Sequence, residues 1–224
     1  MHQSAMENGQ RFLDAYVARL GSVCIVDIGA QDVNGSLREV CPGNAKYIGV
    51  DFIEGKGVDI VIDDPYKLPF EDNTIDVIVS SSTFEHVEMF WLLFIEIIRV
   101  LKPNGLFYLC APSRTGFHRF PVDCYRFFPD SGNALANWGR RCGFNTIVIE
   151  QYTNFDDYVC VFLKDIVYLG LHPNRIIRKY TFEVSAASIF PDLDVFLNSV
   201  DEQGKPVLYA SQLGSIEPIG VSKD

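Results

Sequence analysis

Two stretches of the 224-residue chain combine side chains that could bind a ligand or move a proton. Residues 26–35 read VDIGAQDVNG and place Asp27 just before Gly29. Glycine lets the backbone approach a ligand closely, and the amides of a following helix can bind it. Residues 112–128 are rich in arginine, histidine and aromatic side chains. The first stretch suggests a cofactor loop, although a plain tight turn explains it equally well alone, and the second suggests a substrate pocket.

Acidic residues farther along the chain favour a ligand at the loop. The loop itself lacks the dinucleotide-binding pattern, because Gln31 stands where a second glycine is required. Asp51 ends the next predicted strand about 20 residues on, where a carboxylate can accept hydrogen bonds from ribose hydroxyls. Asp63 and Asp64 follow a third predicted strand, from which a carboxylate can accept from an adenine amino group. The alternative for Asp51 is a solvent-exposed acid at a strand end.

The second stretch contains a candidate proton acceptor. His118 can take a hydroxyl proton near pH 7, with Asp123 as its orienting carboxylate. Planar guanidinium groups suit a bidentate grip on phosphate or carboxylate, which we expect of Arg114, Arg119 and Arg126. Tyr125 and Phe127 could stack on a substrate ring. The alternative is that these arginine–aspartate pairs and aromatic rings only stabilise an irregular loop.

Apolar runs and helical patterns alternate along the chain. Five runs are typical of buried parallel strands: residues 23–28, 47–51, 58–62, 75–79 and 106–110. Helical spacing is found over residues 6–20 and 89–101, and further elements are a helix starting near Ser36, a helix near 131–142, and strands near 145–151 and 157–163. The alternation predicts an α/β fold, a mostly parallel seven-stranded sheet with helices on both faces.

Composition limits the partners and the compartment. The net charge of −10 and the pI of about 4.8 disfavour binding to nucleic acid. Six scattered cysteines without a Cys-x-x-Cys pair are typical of free thiols in a reducing compartment. There is no apolar secretory signal and no run of about 20 apolar residues. We expect a cytoplasmic protein without a membrane span, with one domain over residues 1–165 and an extension over 166–224 that caps it.

Four motifs in order resemble the class I S-adenosylmethionine-dependent methyltransferases of the type 11 group, over roughly residues 23–113. They are VDIGAQDVNG, YIGVDF, DDPYKLPFEDNTIDVIVSSSTFEHVE and LKPNGLFYLCAPS. The resemblance implies a Rossmann-like fold and S-adenosylmethionine as cofactor. It further implies that Asp27 and Gly29 hold the amino acid part of the cofactor, Asp51 the ribose and Asp64 the adenine.

Other residues of these motifs complete the expected cofactor site. They are Ala30, Gly35, Asp63 and Ser81. The sequence departs from the family at Gln31, where most members have a second glycine, and at Pro65, where relatives usually donate a backbone N–H to adenine. Proline has no such donor. Either Asp63 takes over this contact or the adenine is held by one hydrogen bond fewer.

Two further motifs concern the reaction. His86 follows the fourth strand in the segment FEHV, beside the expected position of the methyl group, so it is a candidate catalytic residue; a structural histidine at a helix start is the alternative. The pattern H-x-x-P-x-D-x-x-R-F over residues 118–127 resembles type 11 relatives associated with polysaccharide and cell-surface glycan assembly. This resemblance implies a sugar or sugar-nucleotide acceptor.

The sequence therefore predicts O-methylation of a small polar, glycosyl acceptor, and it leaves two alternatives and the oligomeric state open. A catalytically silent module that binds the cofactor or a partner is favoured by Gln31 and Pro65. A nicotinamide oxidoreductase is disfavoured by the glycine spacing. We predict no metal site, because no compact set of Asp, His and Glu ligands is visible and Asp156-Asp157 is typical of a turn.

Overall fold

The computed structural model describes residues 2–176, in which seven strands form one sheet in the order β3-β2-β1-β4-β5-β7-β6. The strands are β1 Val23–Ile28, β2 Ala45–Asp51, β3 Ile60–Val61, β4 Ile75–Ser81, β5 Leu101–Pro112, β6 Ile147–Asn154 and β7 Asp157–Leu163. Neighbours from β3 to β5 run parallel, whereas β7 is antiparallel to both β5 and β6. The predicted mostly parallel seven-stranded sheet is confirmed.

Helices cover both faces of this sheet, as predicted. They are α1 Gln3–Phe12, α2 Phe90–Val100 and α3 Ser131–Arg141, and α1 continues into a π-helical turn, Leu13–Val17. Phe12 stacks on Tyr108 of β5 with ring centroids 4.7 Å apart. The adjacent Phe107 points to the opposite face, because side chains alternate along a strand. There it contacts Phe94 of α2, with ring centroids 6.1 Å apart.

The strand register brings the predicted cofactor residues to one edge of the sheet. Asp27 of β1 pairs with Val79 of β4, and the last residue of β1 pairs with Val50 of β2. Consequently Asp51 and Ser81 end their strands beside the loop that follows Asp27. Ligands of parallel α/β sheets bind at this carboxyl edge.

The connections around β1 to β3 differ from the prediction. The helix expected near Ser36 is a single 3₁₀ turn, Leu37–Val40, capped by the Ser36 hydroxyl, which accepts a hydrogen bond from the Arg38 amide at 3.2 Å. The run at 58–62 forms only a two-residue strand. Asp59, just before the strand, lies in a bend, and its carboxylate accepts a hydrogen bond from the Gly49 amide at 2.7 Å.

The end of the described chain packs against the sheet. A 3₁₀ helix, Ile166–Leu171, contacts β5 and β7, and the Ile176 amide donates to the buried carboxylate of Glu150 at 2.9 Å. Residues 177–224, most of the predicted extension, lie outside the described residues, so the domain boundary and the capping role stay predictions.

Two expectations from composition can be compared with residues 2–176. All six cysteines are free thiols, as predicted. No helix in this part of the chain is both long and apolar enough to span a bilayer.

Candidate active site

A cavity of about 670 Å³ opens at the carboxyl edge of β1, β2 and β4. This volume is typical of small-molecule sites. Most of the predicted site residues line it: Asp27, Gly29, Ala30, Gly35, Asp51, Asp63, Ser81, His86, His118 and Arg119. Five others do not: Asp64, Arg114, Asp123, Tyr125 and Arg126. One cavity thus joins the predicted cofactor loop to part of the predicted substrate segment.

Asp27 is a buried acid in the cavity wall, with 3% of its surface exposed. Burial raises its pKa to about 6, although the Tyr47 hydroxyl donates a hydrogen bond to Oδ2 at 2.7 Å. Arg38 lowers this pKa and Asp51 raises it, both by smaller amounts. A buried carboxylate of this kind is suited to pair with a cationic group of a ligand.

Gly29 forms the cavity wall with its backbone alone. Its φ of +80° favours glycine, and a Cβ here would lie 2.1 Å from Oγ1 of Thr83. The Gly29 amide donates to the carbonyl of Val50 at 2.9 Å. The close approach predicted from the sequence is therefore an approach to Thr83 as well as to the cavity.

Asp51 ties the loops after β1 and β2 together. Oδ1 accepts from the amides of Phe52 and Ile53 at 2.8 and 3.2 Å, and Oδ2 accepts from the amide of Gln31 at 3.1 Å. Each carboxylate oxygen has two acceptor sites, so Oδ2 keeps one for a ligand. Gln31 contributes its backbone N–H here, which any residue except proline can supply.

Asp63 and Asp64 have different surroundings. Asp63 lines the cavity, whereas Oδ1 of Asp64 accepts from the amide of Tyr66 at 2.8 Å and Asp64 lies outside the cavity lining. Ser81 is also in the wall, 5% exposed, and its hydroxyl has no hydrogen-bond partner within the described residues. The acid that faces the cavity is therefore the neighbour of the one indicated by the family motif.

Two histidines face a buried glutamate on the other side of the cavity. Nδ1 of His86 contacts the carbonyl of Val122, and Nδ1 of His118 lies 3.0 Å from the carbonyl of Gly116. A carbonyl can only accept, so each neutral ring carries its proton on Nδ1 and a lone pair on Nε2. The two Nε2 atoms lie 3.6 and 3.8 Å from Oε1 of Glu85.

Glu85 is the residue of this site that the sequence analysis did not select. It is 1% exposed, its Oε2 has no hydrogen-bond partner within the described residues, and burial raises its pKa to about 8. Partial burial lowers the pKa of His86. In the sequence, the adjacent Glu85 and His86 after β4 were the signal that could have indicated this residue. The sequence does not show the whole group as a local ligand set, because His118 joins Glu85 and His86 from a distant loop.

The predicted pairing of His118 with Asp123 is corrected by the geometry. The imidazole Nδ1 lies 3.8 Å from the Asp123 carboxylate, too far for a hydrogen bond. That carboxylate instead accepts from the backbone amide of His118 at 2.6 Å and from the two Nη atoms of Arg126 at 2.5 and 2.8 Å. The Arg126 guanidinium holds the pKa of Asp123 below its usual range. Asp123 orders the loop, and the Gly116 carbonyl orients the ring.

Arg126 is likewise corrected, from an anion clamp to a loop residue. Besides Asp123, its guanidinium donates to the carbonyls of Thr115 at 3.0 Å, Gly116 at 2.7 Å and Tyr125 at 2.7 Å. These contacts use all five N–H donors of an arginine. No donor remains for a substrate anion.

Two more predicted substrate residues lie elsewhere. The Tyr125 hydroxyl donates to the carbonyl of Glu88 at 2.8 Å, and its ring, like the buried Phe127, lines a separate apolar cavity of about 390 Å³. Arg114 is exposed and lines neither cavity. Arg119 is the predicted arginine that remains at the main cavity, its guanidinium 5.4 Å from the ring centroid of Phe117.

A comparison of the sequence with known protein families agrees with the strand order and with the position of the cavity. Residues 9–109 match a family described as a methyltransferase domain. The fold is that of the class I methyltransferases. The predicted fold is thereby confirmed, and the match over residues 9–109 supports the predicted S-adenosylmethionine-dependent class.

A known protein is similar to part of this chain. A Mycobacterium sp. (strain KMS) protein, described as an uncharacterized methyltransferase, is 36% identical over 69 residues, which are 31% of this chain and 24% of that protein. The match thus spans about a quarter of that relative's length.

Two solved structures share the fold. A Burkholderia thailandensis 1,6-didemethyltoxoflavin-N1-methyltransferase, solved with its substrate and S-adenosylhomocysteine, is 17% identical with a TM-score of 0.54, covering 73% of this chain and 79% of its own. The [4+2]-cyclase SpnF is 19% identical with a TM-score of 0.50, covering 65% of this chain and 60% of its own. The same fold is therefore used for different reactions.

Proposed function

We propose that this chain is an S-adenosylmethionine-dependent methyltransferase that methylates a hydroxyl of a small polar acceptor, such as a sugar or sugar nucleotide. The observation that carries the proposal is the single 670 Å³ cavity at the carboxyl edge of the sheet. Asp27, Gly29 and Asp51 line one side of this cavity, and His118 and Arg119 line the other side. A cofactor and an acceptor can therefore meet in one cavity.

The cofactor side fits S-adenosylmethionine in charge and shape. Asp27 is a buried carboxylate suited to the ammonium group, and the backbone at Gly29 leaves room beside it. Asp51 Oδ2 can accept from a ribose hydroxyl, and Asp63 can accept from the adenine amino group. Three acids in one wall create a negative potential, which favours a cofactor with a sulfonium cation. This cofactor supplies an electrophilic methyl group on a positively charged sulfur.

The acceptor side offers groups for a hydroxyl and for an anion. His118 presents an Nε2 lone pair to the cavity, with 43% of its side chain exposed. The guanidinium of Arg119 donates no hydrogen bond to a carboxylate in the described structure and can bind the phosphate of a sugar nucleotide. Methyl transfer to oxygen needs an aligned nucleophile that loses a proton. The resemblance of residues 118–127 to glycan-associated relatives supports a sugar hydroxyl as that nucleophile.

A methyl-transfer assay tests this proposal. The full chain is incubated with methyl-labelled S-adenosylmethionine and a panel of nucleotide sugars, free sugars and phenols. We expect labelled product with a sugar-containing acceptor, and we expect His118→Ala to lower turnover while cofactor affinity changes little. Transfer only to phenols would overturn the acceptor class, and equal losses of turnover and cofactor affinity would overturn the assigned side of His118.

A catalytically silent cofactor-binding module is the second candidate. It is favoured by Pro65, which removes a backbone donor from the adenine side. The fold is also compatible with other chemistry, since it is shared with a cyclase. Cofactor binding without transfer to any acceptor in the panel would favour this candidate over the enzyme.

A further inference from the structure

Glu85, His86 and His118 lie as close together as the ligands of a metal ion. One carboxylate oxygen and one ring nitrogen from each histidine all lie within 4.8 Å of one another. Ligand atoms that share an ion at about 2.1 Å lie about 3.0 to 3.4 Å apart. The longest of these separations would therefore have to close by about 1.4 to 1.8 Å to bring the three side chains into coordination distance.

The protonation of the two histidines also fits metal binding. The carbonyls of Val122 and Gly116 accept from Nδ1 of His86 and His118, so both Nε2 lone pairs are available. Such backbone carbonyls are the usual outer partners of metal-binding histidines, because they fix the tautomer and the ring orientation. The rings stand nearly perpendicular, at 83°, with centroids 5.1 Å apart, and both Nε2 atoms lie near the same glutamate oxygen.

Glu85 supplies a buried acceptor without a partner. Its Oε2 makes no hydrogen bond in the described part of the chain, and the residue is 1% exposed. Burying a polar oxygen without a partner is costly. Arg126 cannot reach it as a donor, because all its N–H groups are used in the loop. A cation between the glutamate and the imidazoles, bound by both carboxylate oxygens, would give Oε2 a partner.

We propose that Glu85, His86 and His118 form a binding site for a divalent first-row transition metal, such as Mn²⁺ or Zn²⁺. Two imidazoles favour such ions over Mg²⁺ or Ca²⁺, which prefer oxygen ligands. All three side chains line the main cavity, so the remaining coordination positions face the space assigned to the acceptor. The site therefore has three protein ligands and an open side, which is the arrangement of catalytic metal sites.

The role of the ion rests on the proposed function, whereas its binding does not. An acceptor hydroxyl bound to the ion would be more acidic, because the metal charge stabilises the oxyanion. Its proton passes to solvent water, and its oxygen lone pair forms the bond to the methyl carbon as the carbon–sulfur bonding pair moves to sulfur. The histidines would then act through the ion and not as direct bases.

Titration of the full chain with metal tests the site in the absence of cofactor and acceptor. The sample is prepared without a histidine tag and is first treated with a chelator to remove bound metal. Mn²⁺ is the first probe because it binds free thiols weakly. Calorimetry and electron paramagnetic resonance should report one Mn²⁺ per chain. Glu85→Gln and His118→Ala should each weaken binding at least tenfold. His2→Ala is the control, because His2 lines the same cavity but is not one of the three proposed ligands. This variant should bind Mn²⁺ as tightly as the wild type does.

Two results would overturn the site. One is the absence of stoichiometric Mn²⁺ and Zn²⁺ binding by the folded wild type. The other is His118→Ala binding metal as tightly as the wild type does. Circular dichroism checks that each variant folds, and the absorption spectrum of the Co²⁺-loaded wild type reports nitrogen coordination without any variant. A negative metal titration would leave the results of the cofactor-binding and methyl-transfer assays standing, so failures of the two proposals are distinguishable.

Discussion

The Tyr47 hydroxyl on β2 donates a hydrogen bond to the buried Asp27 carboxylate on β1, with 2.7 Å between the two oxygens. This contact lowers the pKa of Asp27, yet burial dominates and leaves that pKa at about 6. Asp27 is therefore ionised at pH 7 and protonated at pH 5. The affinity for the proposed cofactor should therefore depend on pH through the ionisation of Asp27.

Cofactor affinity should fall as the pH falls through about 6. The ionised carboxylate attracts the ammonium of S-adenosylmethionine, and protonation removes that attraction. The dissociation constant should be nearly constant above pH 7 and should rise by up to about tenfold per pH unit below pH 6. Calorimetry from pH 5 to 8 measures it. Asp27→Asn, which does not titrate, should bind more weakly and with a flatter profile; identical profiles for variant and wild type would contradict the assignment.

Asp63 and Asp64 provide a matched pair of substitutions. Asp63 lines the cavity, whereas Asp64 accepts from the Tyr66 amide outside it. Asp63→Ala should weaken cofactor binding by roughly 1 to 2 kcal/mol, the usual cost of a lost hydrogen bond, and Asp64→Ala should change it less. Calorimetry with the two variants distinguishes them. A larger loss in Asp64→Ala would show that the family motif, and not the described geometry, identifies the adenine contact.

Gly29→Ala should disrupt the cavity wall. The new Cβ would lie 2.1 Å from Thr83 Oγ1, and the φ of +80° is strained for alanine. We expect the free energy of unfolding to fall by at least about 2 kcal/mol, together with cofactor affinity. The control is Gly43→Ala, where a Cβ meets nothing within 4 Å. Urea unfolding measures the stability of the two variants. Equal stability of Gly29→Ala and Gly43→Ala would rule out the close approach to Thr83.

Arg119 and Arg126 should have separable effects. Arg119 lines the cavity, so Arg119→Ala should raise KM for a phosphate-bearing acceptor about tenfold without changing stability. Arg126 is used entirely within the loop, so Arg126→Ala should lower the midpoint of thermal unfolding by at least about 2 °C. Steady-state kinetics and thermal melts test the pair. The loop assignment would be contradicted if Arg126→Ala left stability unchanged and altered the preference of the enzyme for phosphate-bearing over uncharged acceptors.

The sheet, and the position of Asp27 and Asp51 at its carboxyl edge, could be predicted because their sequence signals are local. Buried parallel strands appear as continuous apolar runs, and Asp27 and Asp51 directly end or nearly end such runs. The helix expected at Ser36 failed because its helical pattern extends over a single turn. Propensity alone does not fix such short elements.

The acceptor side was predicted poorly because its geometry depends on contacts between distant residues. Asp123 and Arg126 were expected near the ligand, but they satisfy each other and nearby carbonyls. Conversely, Glu85 meets His118 only after the loop following β5 returns to the end of β4. Residue types in a loop indicate which groups are available, and only the folded chain determines which of them face a cavity.

Calorimetric titration of the full chain with S-adenosylmethionine and S-adenosylhomocysteine tests the central claim most directly, namely that the cavity at the carboxyl edge of the sheet binds this cofactor. We predict one site per chain for both compounds. We also predict a loss of roughly 1 to 3 kcal/mol in Asp51→Ala, whose carboxylate joins the two loops at that site. The absence of binding by a folded wild-type sample, or unchanged affinity in folded Asp51→Ala, would contradict the claim.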